Sequence, residues 1–182
     1  MRLLIAGLSL LLALVLPAAA QTTKLDPNNT LVIELKTGKV IIRLRPDLAP
    51  QHVARVKQLV AEKFYDGIKF HRVIDGFMAQ TGDPTGTGFG GSKLPNIPAE
   101  FTQTPFKRGT VGAARSQDPN SANSQFFICL DEASFLNGQY TVWGEVVEGM
   151  EHVDQIKKGP KPSGSVSDPD IMKTVRLLKD AK

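Results

Sequence analysis

The strongest constraint on the fold is a series of short apolar runs, rich in β-branched and aromatic residues, that glycine, asparagine, aspartate and proline separate. In the first two runs, residues 31–35 and 40–44, apolar residues recur at every second position, and residues 36–39 between them read KTGK. Alternation on both sides of a short turn predicts a β-hairpin. Further runs of this kind lie at residues 69–73, 78–81, 111–114, 125–129, 140–146 and 171–178.

Only two segments have helical spacing. Pro50 is suited to the first turn of a helix, and the valines after it recur at intervals of three and four, namely Val53, Val56 and Val60. This helix is expected to end near Lys63, and a second one is expected at residues 150–157. Many short strands with few helices indicate a mainly β domain, either a sandwich or a closed barrel, and the pattern does not choose between them.

Residues 1–20 have the pattern of a secretory signal peptide: Arg2, an apolar run at residues 3–16, then Pro17 and three alanines. The apolar run is shorter than the roughly 20 residues that a membrane-spanning helix needs. The alternative, an uncleaved anchor, does not explain a small-residue cleavage signal before Gln21. We therefore expect an exported protein with no stable membrane anchor, in which residues 1–20 are removed and residues 21–182 form a single domain.

The charge and the glycine-rich segment exclude several partners. The formal net charge is only +4, and its basic residues are dispersed, so nucleic acid is not an expected partner. Residues 86–91 (GTGFGG) match G-x-G-x-x-G, but Pro95 and Pro98 prevent the helix that a phosphate-binding loop needs, so we predict a surface loop. No metal or other cofactor is expected, because no metal-ligand spacing joins the histidines, His52, His71 and His152.

Nucleophilic chemistry has little support in the sequence. Cys129 is the only cysteine and lies in an apolar run, so we expect it to pack in the core and to form no internal disulfide. A Ser-His-Asp hydrolase stays open on composition, although no G-x-S-x-G motif occurs. The connection at residues 82–108 has no clear helix or strand pattern, and loops of that length inside a compact domain are usually functional.

Two strand-like runs combine polar and aromatic residues. Arg72 lies inside an apolar run, and Phe77 and Met78 precede Gln80. In a strand, Gln125 and Phe127 would share one face, because alternate side chains point the same way. Taken alone, Arg72 has the context of an ordinary solvated residue.

Two motifs reverse that interpretation. Residues 70–83 (FHRVIDGFMAQTGD) resemble the signature F-H-R-x-I-x-G-F-M-x-Q-x-G-D of the cyclophilin family, and residues 124–128 (SQFFI) resemble its second signature. The similar layout runs from about Thr30 to Leu178. The resemblance implies a closed eight-stranded antiparallel β-barrel capped by two α-helices, and peptidyl-prolyl cis-trans isomerase activity without a cofactor.

The resemblance also implies roles for individual residues. Arg72 matches the catalytic arginine of the family, beside Gln80, and Gln80 and Gln125 match residues that hold the substrate backbone. The walls of the pocket that receives the proline ring are matched by Phe77, Met78, Phe127 and Leu136. Ala114 and Arg115 align with the segment that pairs with the peptide backbone, where the family commonly has Ala-Asn.

Two substrate-binding positions depart from many eukaryotic relatives. Phe135 replaces their tryptophan and Tyr140 replaces their histidine, and both changes resemble those of bacterial periplasmic cyclophilins. Because phenylalanine lacks the indole N–H donor, weak binding of cyclosporin, the inhibitor of the family, is expected. The expected partners are proline-containing polypeptides, among them unfolded or partly folded exported proteins whose folding the enzyme would assist. A monomer is expected.

A second functional hypothesis uses the same groove. A peptide-binding or chaperone module would hold proline-containing segments without accelerating their isomerisation. Arg72, Gln80 and Gln125 argue against it, because a pure binder does not need the arginine.

Overall fold

The structure, a computed structural model, describes residues 24–181, so the predicted signal peptide lies outside the described residues. The two α-helices are α1 (Pro50–Ala61) and α2 (Met150–Asp154), and short 3-10 helices lie at Ser134–Leu136 and Leu178–Asp180. Neither α-helix in the described part has the length and apolarity of a membrane span. The strands are β1 (Thr30–Glu34), β2 (Lys39–Leu44), β3 (Arg72–Ile74), β4 (Met78–Thr81), β5 (Thr110–Ala113), β6 (Phe126–Cys129), β7 (Val142–Glu148) and β8 (Thr174–Leu177).

These strands form one curled antiparallel sheet in the order β3-β4-β6-β5-β7-β2-β1-β8. The predicted hairpin is confirmed as β1 and β2, which pair from Thr30↔Arg43 to Glu34↔Lys39. The mainly β class and the strand positions also agree with the sequence prediction. The apolar face of α1 packs into the main core with residues of β1, β2, β7 and β8.

The predicted closed barrel is wrong, because the sheet is open between β3 and β8. Within residues 24–181 no ladder joins these two edges, and isolated bridges at Lys69↔Ile171 and Arg72↔Ser165 take its place. The segment beside β3 contains prolines, which cannot donate to a ladder. It contacts β3 through single backbone hydrogen bonds instead, such as Val73 N–H to the Gly164 carbonyl at 2.8 Å.

Helix α2 is shorter than predicted, ending at Asp154 instead of continuing to residue 157. Tertiary contact explains the difference: the Lys157 N–H donates to the Asp170 carboxylate at 2.8 Å, and not to a carbonyl one turn back. Helix α1 begins at Pro50 as predicted and ends at Ala61, close to the expected position.

Glu100 joins the long connection to the start of α1. Its carboxylate accepts the backbone N–H groups of Gln51 and His52, each at 3.0 Å, and lies 2.6 Å from the His52 ring nitrogen Nδ1. A carboxylate at this position satisfies N–H groups that have no partner within the helix. The connection is therefore attached to the framework of the fold, next to the site described below.

A smaller second core lies on the face of the sheet opposite to the main core. It contains Met78, Phe106, Phe127, Cys129, Ala133, Leu136 and Val142. Cys129 is fully buried there, and burial raises the pKa of its thiol to about 12. The prediction that Cys129 packs in the core is confirmed.

The buried histidines predict a loss of stability in mild acid. Burial lowers the pKa of His52, outweighing the effect of Glu100, and burial also lowers the pKa of His71. Below about pH 6.5 the unfolded chain binds protons on these side chains while the folded chain does not, so unfolding becomes more favourable as pH falls. We expect the free energy of unfolding, measured with urea, to decrease between about pH 7.5 and about pH 5.

A variant separates the contribution of one histidine. His52→Asn keeps a polar group near Glu100 but removes the titration, so its free energy of unfolding should depend less on pH over the same range. A stability that is constant or increases on acidification, or a variant with an unchanged pH dependence, would contradict this explanation.

Candidate active site

Strand register brings the main predicted residues into one row. Arg72 of β3 pairs with Gln80 of β4, Gln80 pairs with Phe127 of β6, and Phe127 pairs with Gly112 of β5. Residues directly opposite in antiparallel strands have their side chains on the same face. The row ends at a glycine for a steric reason: a Cβ on Gly112 would lie 2.6 Å from ring carbons of both Phe106 and Phe127.

A pocket of about 110 Å³ opens over this row. Its apolar walls include Met78, Phe127 and Leu136, all of them buried. The Phe106 ring stacks beneath Phe127 with 5.7 Å between centroids, and the Tyr140 ring meets Phe127 edge-on at 5.9 Å. The complete lining consists of residues that the sequence predicted, namely Arg72, Phe77, Met78, Gln80, Ala114, Arg115, Phe127, Leu136 and Tyr140.

Phe135 and Gln125 were also predicted to contact substrate, but they do not line this pocket. Phe135 is 63% exposed and stands beside the rim, where its ring lies 5.3 Å from that of Phe77. Gln125 lines a neighbouring cavity of about 560 Å³. The two cavities share Gln80, Ala114 and Arg115, so a chain that occupies one can continue into the other.

A directional chain of hydrogen bonds runs from Arg72 into the glycine-rich loop. Arg72 donates through Nε to the Ser163 carbonyl at 3.1 Å and through Nη1 to Gln80 Oε1 at 3.2 Å. Gln80 Nε2 donates in turn to Gln125 Oε1 at 2.9 Å. Each donor faces an acceptor, so the orientation of the Gln80 amide is fixed from both sides.

Both N–H groups of the Gln125 side-chain amide donate hydrogen bonds to the glycine-rich loop. They donate to the carbonyls of Gly88 at 2.9 Å and Gly90 at 2.8 Å. In this arrangement Gln125 supports Gln80 and the loop. Its predicted contact with the substrate backbone stays a prediction.

Asp83 is the residue that organises the loop, and sequence reasoning did not single it out. Its carboxylate accepts the Thr85 N–H and hydroxyl, each at 2.8 Å, and the Gly88 N–H at 2.6 Å. Burial alone raises the pKa of Asp83, but the hydrogen bonds from Thr85, Gly90 and Gly88 outweigh burial and lower the pKa to about 2. The only signal in the sequence was its place at the end of the first motif.

The long connection contributes one wall of the larger cavity, and its functional role stays a prediction. Gly88, Phe89, Gly90, Gly91, Ser92 and Asn96 line the cavity on one side. Asn123 holds this wall from the other side, because its amide donates to the Leu94 carbonyl at 2.9 Å and its oxygen accepts the Ser92 N–H at 2.9 Å. Asn123 was not predicted, since its role depends on contacts distant in sequence.

Arg115 lies between the two cavities and is held firmly. Its guanidinium carbon sits 4.4 Å from the centroid of the Tyr140 ring. Its Nε and Nη2 atoms donate to the Gln139 carbonyl at 3.2 and 3.0 Å, and Nη1 donates to the Ser116 carbonyl at 2.8 Å.

Among residues 24–181, no group of three or more His, Cys, Asp or Glu side chains could hold a metal ion.

Comparison with known proteins gives one consistent result. Residues 30–178 match the family model described as cyclophilin type peptidyl-prolyl cis-trans isomerase/CLD. A "probable peptidyl-prolyl cis-trans isomerase" of Brucella suis is 53% identical, over 93% of this chain and 93% of its own length.

Solved structures agree with the sequence matches. The cyclophilin AquaCyp293 from Hirschia baltica superposes with a TM-score of 0.78 at 30% identity, covering 87% of this chain and 77% of its own. A Cryptosporidium parvum cyclophilin type peptidyl-prolyl cis-trans isomerase, crystallised in the presence of the dipeptide Ala-Pro, superposes with a TM-score of 0.75 at 29% identity, covering 81% of this chain and 98% of its own. The chain therefore belongs to the cyclophilin-type peptidyl-prolyl cis-trans isomerases.

Proposed function

We propose that this isomerase accelerates rotation about X-Pro bonds of exported polypeptides, with Arg72 as a fixed hydrogen-bond donor to the twisted amide. One observation carries the proposal: the Arg72 guanidinium lines the same small pocket as apolar side chains that suit a proline ring. The relative crystallised with Ala-Pro supports a proline-containing ligand for this groove.

The reaction makes modest chemical demands on the protein. Rotation must break the C–N resonance of the amide, which gives a barrier of roughly 18–20 kcal/mol, and no covalent bond forms or breaks. A catalyst therefore needs to bind the twisted amide better than either planar form. In the twisted state the prolyl nitrogen regains a localised lone pair, which accepts a hydrogen bond better than a planar amide nitrogen does.

Arg72 has N–H groups that are not used within the described part of the protein and can donate to that lone pair. A guanidinium carries five N–H groups, and the bonds to Ser163 and Gln80 engage only Nε and Nη1. Nη2 makes no hydrogen bond within the described residues, so it is available to a substrate. Because Ser163 and Gln80 hold the other two nitrogens, the donor needs little reorganisation when the amide twists.

The other site residues receive roles that follow from their positions. Met78, Phe127 and Leu136 would hold the proline ring while the residue before it rotates, and Gln80 would orient Arg72. Ala114 and Arg115 would pair with the peptide backbone beside the pocket. Phe77 and Phe135 would cover the ring at the rim, and since neither side chain offers a donor, cyclosporin is expected to bind weakly.

Export to the periplasm and assistance to protein folding are further parts of the proposal. They rest on the signal-peptide pattern of residues 1–20 and on the low side-chain specificity of a groove that reads mainly proline. N-terminal sequencing of the protein isolated from the periplasm should give Gln21 as the first residue. A chain that keeps Met1 and stays in the cytoplasm would contradict export.

A binding module without turnover is the rival that the assay must exclude. A protease-coupled or NMR exchange assay on an Ala-Pro peptide separates the two functions. Acceleration of cis-trans exchange supports catalysis, whereas saturable binding with an unchanged exchange rate supports the module.

The Arg72→Ala variant tests the role of the arginine. Loss of a preorganised donor of this kind costs roughly 10² to 10³ in rate, so kcat/KM for an Ala-Pro peptide should fall on that scale while peptide binding persists. Arg72→Lys is the matched variant: it keeps the charge but loses the planar fork, so we expect it to recover only part of the activity. Wild-type turnover in Arg72→Ala would remove the arginine from the mechanism.

The Asp83→Asn variant tests whether the buried carboxylate positions the site. An amide nitrogen would face N–H donors of the loop, which costs about 1–3 kcal/mol of stability, and displacement of Gln125 and Gln80 should lower kcat/KM roughly tenfold. Asp75→Asn is the control, because Asp75 is exposed on the turn between β3 and β4 and lies 4.0 Å from Lys158. If both variants keep wild-type turnover, Asp83 does not position the catalytic groups.

A further inference from the structure

Among residues 24–181, most arginines outside the site pair with a carboxylate, with Arg55 as the exception, whereas the two arginines of the site bind other groups. Outside the site, arginine-carboxylate pairs at 2.6 to 2.9 Å are formed by Arg43, Arg45, Arg108 and Arg176. Arg72 and Arg115 form no such pair within residues 24–181. Their hydrogen bonds go to carbonyl and amide oxygens, which orient a guanidinium without neutralising its charge.

Within the described residues, the lining of the two cavities also contains no acidic side chain to compensate this charge. Asp83 lies under the loop that forms one wall, but it is only 1% exposed and its oxygens accept hydrogen bonds from the loop. The groove therefore presents two positive charges to a bound peptide.

Of Arg72 and Arg115, Arg115 is the better placed to interact with charged side chains of a substrate. Arg72 faces the proline pocket only, whereas Arg115 lines both cavities. The Tyr140 ring and the carbonyls of Ser116 and Gln139 prevent its side chain from turning away. A chain leaving the proline pocket for the larger cavity advances about 3.3–3.6 Å per residue, so its first residues pass Arg115.

We infer that Arg115 makes this isomerase selective for acidic segments: X-Pro substrates with glutamate or aspartate within two residues of the proline, on the side of the chain that enters the larger cavity. The inference rests on the proposed seating of the proline ring in the smaller pocket. Solvent-exposed ion pairs contribute little energy, so the preference for glutamate over glutamine should be about threefold to fivefold in kcat/KM.

A peptide series tests the charge preference directly. Glutamate, glutamine and lysine are placed in turn at each of the two positions before and the two positions after a single proline, and kcat/KM is measured for each peptide. We expect the order glutamate, glutamine, lysine on one side of the proline. The preference should fade between about 0.01 M and about 1 M salt, as the screening length falls from about 30 Å to about 3 Å.

Variants assign the preference to one side chain. Arg115→Gln should bring the glutamate-to-glutamine ratio close to one, and Arg115→Lys should keep most of it. Lys179→Gln removes the same unit of charge from a residue that lines neither cavity, and it should leave the ratio unchanged. The salt series on the wild-type enzyme gives an independent reading if Arg115→Gln does not fold.

The outcomes separate this inference from the proposed function. Turnover with no charge preference at any position, or a preference that survives in Arg115→Gln or at high salt, overturns the selectivity and leaves the isomerase mechanism standing. No acceleration of any peptide overturns the proposed mechanism, and the selectivity with it.

Discussion

The pairing of β4 with β3 on one side and β6 on the other is the constraint on which the site depends. It places Gln80 between Arg72 and Phe127 in a single row. Because side chains alternate along a strand, a slip of one residue in either ladder would put the side chains of the shifted strand on the opposite face and break this row. The apolar residues that alternate with it, such as Val73 and Ala79, pack in the main core and so fix the register.

A polar network on an otherwise apolar sheet has to be complete to be tolerated. Here the network runs from Arg72 through the side-chain amides of Gln80 and Gln125 to backbone carbonyls of the glycine-rich loop. The same loop surrounds the buried carboxylate of Asp83. Every step has a donor facing an acceptor, so the network has one low-energy arrangement. Preorganisation of this kind suits a reaction in which the protein contributes only geometry and electrostatics.

The sequence was informative where local pattern decides the structure. Alternation predicted the β1–β2 hairpin, and Pro50 with its following valines predicted α1. The second helix was predicted too long because the Lys157 N–H finds Asp170, a partner that no local pattern reveals. The alternation of residues left sandwich and barrel open, and the closed barrel implied by the family resemblance was wrong because β3 and β8 are joined only by isolated contacts of the intervening segments.

The site residues also fall into those that the sequence predicted and those that it did not. Motif resemblance supplied the pocket residues, some of which, such as Arg72, Met78, Gln80 and Phe127, lie on strands. Asp83 and Asn123 were not predicted, because their roles come from contacts with the glycine-rich loop and the connection after it. The partners of Arg115 depend on the turn that brings Gln139 and Tyr140 beside it, so the sequence could offer only an unusual residue in an aligned position.

The opening between β3 and β8 has a consequence for the behaviour of the protein at high concentration. An exposed strand edge is a template for pairing with another chain and hence for aggregation. The proline-containing segment covers β3 instead, through Gly159 and Gly164, and the same segment offers the Ser163 carbonyl to Arg72. One stretch of irregular chain thus occupies the β3 edge, where another chain could otherwise pair, and also holds the arginine in place.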